Sequence, residues 1–66
     1  MSIGERIVYR IEVFCSVYGI SVTKFEEKAG IGRGVIRGWK NHAPRVDLVE
    51  KAADALGVKV GILVDK

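Results

Sequence analysis

From Ile3 to Tyr18 the apolar residues Ile3, Ile7, Ile11, Phe14 and Tyr18 recur at three- and four-residue spacing, which predicts an amphipathic helix with Gly19 as its C-terminal stop. Val13 and Val17 lie toward the polar side of that stripe, giving a wider apolar surface than one core contact requires. A second helix is predicted to open at Ser21 or Thr23, with Thr23 and Glu26 at capping-box spacing, and to bury Val22, Phe25 and Ala29. Gly30-Ile31-Gly32 then breaks the periodicity, and a third helix is predicted from about Arg33 to Lys40 or Asn41. The short connection calls for a tight turn, which Gly30 can make with positive φ, and the whole reads as a helix-turn-helix.

Asn41-His42-Ala43-Pro44 reads as a loop, and Pro44 sits before a fourth helix, where its missing N–H costs nothing. There Val46, Leu48, Val49, Ala52, Ala53, Ala55 and Leu56 form a broad apolar arc opposed by Asp47, Glu50, Lys51 and Asp54, with Gly57 as the stop. The last segment, residues 59–66, fits two readings: a short helix through Val60, Ile62, Leu63 and Val64, or a strand through Val58-Lys59-Val60-Gly61-Ile62. The predicted fold class is all-α, four to five helices in a single domain spanning residues 1–66.

Composition narrows this further. A chain of 66 residues holds one small core, and its single cysteine, Cys15, excludes an internal disulfide. No Cys/His cluster or paired-ligand spacing suggests zinc, so no metal or cofactor is expected and the core must be aliphatic. The N-terminal stretch carries charges through its first turns, and no apolar run approaches the roughly 18 residues of a membrane span, which predicts a soluble cytoplasmic protein. A net charge of +3 leans toward a polyanionic partner only if the charges are gathered on one face.

The third helix is where they gather. With about 100° between successive residues, Val35, Ile36 and Trp39 point one way and Arg33, Arg37, Lys40 and Asn41 the other. An α-helix fits the major groove of B-DNA, where arginine donates two parallel bonds to guanine and lysine neutralises phosphate. A basic outer face can equally be a solvated one; the glycine turn just before it favours the DNA reading.

The stretch from Gly19 to Val64 resembles the Cro/repressor (XRE-type) helix-turn-helix family, in particular the short-loop repressor-like regulators of bacteria and their phages. The residues carrying the resemblance are GISVTKFEEKAGIGRGVIRGW, the Pro44-x-Val46-Asp47 helix start and KAADALGVKVGILV, with Arg10-Ile11 before them. It implies a lambda-repressor-like bundle of about five helices, a homodimer on operator DNA, a recognition helix over about 33–41, and Ser21 to Thr23 near phosphates. Several positions depart from the family pattern. Val22 stands where a long polar residue is frequent, which implies the loss of a phosphate contact at the start of the second helix, and Glu26 stands where a small residue is usual, implying a looser approach of the second and third helices. Arg45 and Lys59 replace common N-capping serines and Gly61 a frequent acid, implying a poorly formed last helix.

The resulting DNA-binding set is Ser21, Thr23, Gly32, Arg33, Gly34, Arg37, Lys40, Asn41 and His42. Gly34 and Gly38 each cost roughly 0.8–1 kcal/mol in a helix interior, so they either let the backbone approach DNA or are tolerated because packing holds the helix. Trp39 and Cys15 read as core, His42 as a loop residue able to meet phosphate. Gly30-x-Gly32-x-Gly34 lacks the spacing and βαβ setting of a nucleotide loop. A sequence-specific transcriptional regulator is therefore expected. A protein-interaction module on the same fold, such as an antitoxin or anti-repressor, is the alternative. No nucleophile, base and orienter set suggests an enzyme, and no small-molecule ligand is indicated.

Overall fold

The computed structural model describes residues 2–64. Helix α1 spans Ile3–Tyr18 and opens on a capping box: the Ser2 hydroxyl accepts the Glu5 N–H at 3.1 Å and the Glu5 carboxylate accepts the Ser2 N–H at 3.0 Å. Its buried face runs through Gly4, Ile7, Val8, Ile11 and Cys15. The expected stripe is thus rotated, with Ile3 and Tyr18 exposed and Phe14 only half-buried. The cause lies in Gly4, whose missing side chain admits the backbone of another segment: a methyl group there would collide with the Trp39 carbonyl oxygen and stand 3.2 Å from its carbon. That contact turns α1 so that the Gly4 side, rather than the Ile3 side, faces inward.

Helix α2 spans Val22–Ala29, and its N-cap is Ser21, whose hydroxyl accepts the Lys24 N–H at 3.0 Å. Thr23 therefore lies inside the helix, and the Thr23–Glu26 capping box does not form. Helix α3 is much shorter than expected, Val35–Gly38 instead of about 33–41. Gly34 has φ of +81°, a left-handed conformation that cannot belong to a right-handed helix, so it is the N-cap and Arg33 stays in the connection. At the other end the winding tightens, with the Trp39, Lys40 and Asn41 N–H groups donating to carbonyls three residues back. Gly34 accordingly bears no helix-interior cost.

Helix α4 spans Val46–Leu56, and Val49, Ala52 and Ala53 form its buried face. Val46 and Ala55, on the edges of the expected arc, are exposed. The two readings of the C-terminal segment resolve to a helix, α5, over Val60–Val64. Arg10 on α1 holds its end: one guanidinium nitrogen donates to the carbonyl oxygens of Ile62 and Leu63 in the last turn. This is why α5 forms although Lys59 gives it no side-chain cap.

The five helices make one all-α bundle, with no strand among the described residues. Helix α2 packs on α4, α1 on α2 and α5, α4 on α5, and α3 on α2. Ile7, Val8, Ile11, Ile36 and Ala52 are wholly buried at its centre, and Trp39 and Phe25 fill its side. Cys15 is part of this core; burial and, secondarily, the Glu12 charge push its thiol pKa up, which keeps it protonated and unreactive.

Candidate nucleic-acid interface

The connection Gly30–Gly34 and the winding that follows it carry most of the predicted site. Gly30 closes α2 in the left-handed conformation, as the tight turn required. Ile31 and Ile36 sink into the core on either side of the exposed Gly32, Arg33 and Gly34, so the connection is anchored at both flanks and open between them. Arg37, four residues beyond Arg33 and on α3, is also exposed. Neither arginine forms an ion pair among the described residues, whereas Lys40 lies 3.7 Å from the Glu12 carboxylate and Arg45 3.3 Å from that of Asp47.

The remaining predicted residues divide by what holds them. Asn41 and His42 are exposed, and their backbone N–H groups both donate to the Gly38 carbonyl, which fixes the turn after α3. The Ser21 hydroxyl is engaged as a cap acceptor; its own hydrogen remains free to donate. Thr23 is half-buried in the first turn of α2. A cleft of about 360 Å³ gathers Arg33, His42 and Arg45 around Gly38 and Trp39, and does not include Arg37, Ser21 or Thr23.

Two residues that the structure joins to the candidate site lie outside the predicted set. Arg45 joins Arg33 and His42 in one cleft, and its sequence signal is the charge run. From Lys28 to Arg45 the chain holds five of its eleven Lys and Arg residues and none of its eight Asp and Glu residues. Glu26 is the other. Rather than loosening the contact of α2 with α3, its carboxylate bridges them: one oxygen accepts the Gly34 N–H and the other the Ile36 N–H, both at 3.0 Å. The side chain is 2 % exposed and pairs with no described cation, so those two backbone amides are what satisfies it. Comparison with protein-family models, curated proteins and solved structures finds no match to this chain.

Proposed function

We infer that this chain is a sequence-specific double-stranded DNA-binding regulator that presents the segment from Gly32 to His42 to the major groove. The observation that carries the reading is the charge placement. The stretch from Lys28 to Arg45 carries five cations and no carboxylate, while the rest of the chain holds six cations against eight carboxylates. The positive charge is concentrated on the connection, α3 and the loop after it, and Arg33 and Arg37 are exposed with no ion pair among the described residues.

A helix of four residues is about 6 Å long, too short to lie along a groove as a rod. The reading unit is therefore a turn plus one helical turn, with Arg33 projecting from the connection and Arg37 from α3. Each can donate a pair of bonds to guanine O6 and N7, and each such pair is worth about 1–3 kcal/mol of discrimination. Lys40, His42 and Arg45 are placed to meet phosphates, which position the protein without reading sequence. The Lys40–Glu12 pair does not oppose this role, because an exposed ion pair contributes only about 0.2–1 kcal/mol and exchanges readily for a phosphate.

The resemblance to the Cro/repressor type adds homodimerisation on a two-half-site operator. Tyr9, Val13 and Val17 support it: they recur every four residues along α1 and are 59 %, 44 % and 76 % exposed. The same stripe also favours the second reading, a module that binds another protein. Selection of bound sequences from random duplex DNA separates the two. Enrichment of one motif, with binding that weakens steeply as salt rises, is expected. A library that emerges unenriched would leave the protein-interaction module as the better account.

A further inference from the structure

Glu26 lies on α2, eight and ten residues before the amides it holds. The two anchored amides, those of Gly34 and Ile36, fall between Arg33 and Arg37 in the chain. A buried carboxylate without a cation is a costly way to support a turn against which an apolar side chain could pack. What the carboxylate adds is direction: two acceptor oxygens on one rigid group fix the orientation of two amides on either side of Val35.

We propose that Glu26 is a positioning residue for base recognition, setting the relative placement of Arg33 and Arg37 and thereby discrimination among sequences rather than affinity for DNA in general. The inference rests on the DNA-binding reading above. Bidentate bonds to a base edge tolerate little displacement, whereas phosphate neutralisation is insensitive to small shifts of a cation. A loosened connection therefore weakens the first and spares the second.

Glu26→Gln tests this, being nearly isosteric while turning an –NH2 donor toward a backbone donor, so that one of the two anchors is lost. Wild type, Glu26→Gln and Leu63→Ala are titrated on the selected duplex and on a scrambled one. Leu63 is a core residue of α5, which packs on α1 and α4, so its replacement lowers stability while leaving the Glu26 anchor in place. Glu26→Gln is expected to lose affinity for the selected duplex by on the order of tenfold and to bind the scrambled duplex within about twofold of wild type. Leu63→Ala is expected to keep the wild-type ratio. Amide hydrogen exchange at Gly34 and Ile36 should quicken in Glu26→Gln with or without DNA. An unchanged ratio, an equal loss on both duplexes, or unchanged exchange at both amides overturns the proposal. Failure of the DNA reading shows itself separately, as a wild-type protein that prefers no duplex; the bracing of the turn is then judged on the exchange rates alone.

Discussion

Arg33 and Arg37 share a charge and an exposure but differ in what carries them: a glycine-flanked connection for the first, a helical turn for the second. Arg33 stands at the N-terminal side of α3, the side that docks on base edges in helix-turn-helix complexes. Replacing Arg33 with alanine should cost about 1–3 kcal/mol on the preferred site and relax discrimination at one base pair. Lys40→Ala should instead weaken binding equally on all sequences and reduce the slope of log affinity against log salt by about 0.9. Titration on matched and scrambled duplexes at several salt concentrations reads both; an Arg33→Ala variant with unchanged affinity and preference would remove this segment as the reader. At this scale the sequence was informative where a side chain's role follows from its type and spacing. Arg37 is exposed and Ile36 is core as helical periodicity separates them, and Arg33 and Lys40 are exposed and Trp39 buried as expected although all three lie outside the four residues of α3. Glu26 was not legible as a site residue, since its contacts are with amides eight and ten residues away, and Arg45 was legible only through the acid-free charge run that ends at it.

Among the elements, those closed by local chemistry were the ones periodicity located well. Helices α1, α2 and α4 end at Gly19, Gly30 and Gly57, as read from the sequence. The length of α3 escaped because it is set by the Glu26 carboxylate and by the left-handed Gly34, neither of which alters the pattern of apolar residues. The rotation of α1 escaped for a similar reason, resting on a tertiary contact of Gly4. Gly4 and Gly61 give a contrast within one molecule, since both lie in helices and alanine improves helix propensity at each by about 0.8–1 kcal/mol. At Gly61 a methyl group meets nothing within 4 Å, so Gly61→Ala should raise the thermal midpoint. At Gly4 the methyl meets the Trp39 carbonyl, and overpacking of about 1–3 kcal/mol should outweigh the gain and lower it. Melts of the two variants that shift in the same direction would contradict this account. The capping box of α1 adds a pH dependence. Hydrogen bonds from the Ser2 backbone and then its hydroxyl hold the Glu5 carboxyl below the usual carboxylate range. A lowered native pKa means the stabilisation is present above the unfolded-state value and disappears as pH falls through the folded one. The difference in midpoint between wild type and Glu5→Ala, measured at neutral pH, should therefore close on acidification.

At the scale of the whole molecule the proposed function raises the question of how one small domain would read a site long enough to be specific. Two arginines supply at most a few base pairs of discrimination, and a second copy doubles the readout while its interface adds burial to a small core. The dimensions permit it. A two-fold axis separates equivalent points by twice their distance from it, so half-sites roughly 34 Å apart call for reading segments about 17 Å from the axis, which a molecule with a Cα envelope of 25 × 21 × 20 Å can span. The surface for such a contact is the exposed α1 stripe of Tyr9, Val13 and Val17; Leu63, on α5, is 2 % exposed and belongs to the core. Val17 is 76 % exposed, so Val17→Glu should leave the fold and its melting temperature almost unchanged while placing two like charges across the two-fold axis. Sedimentation should show wild type moving toward a dimer as concentration rises and Val17→Glu remaining a monomer. On a selected duplex with two half-sites the variant should lose cooperativity yet keep its affinity for a single half-site, because Arg33, Arg37 and Lys40 are untouched. A wild type that stays monomeric at high concentration and fills the half-sites independently would show that α1 does not join two copies, and would assign the exposed stripe to a different protein partner.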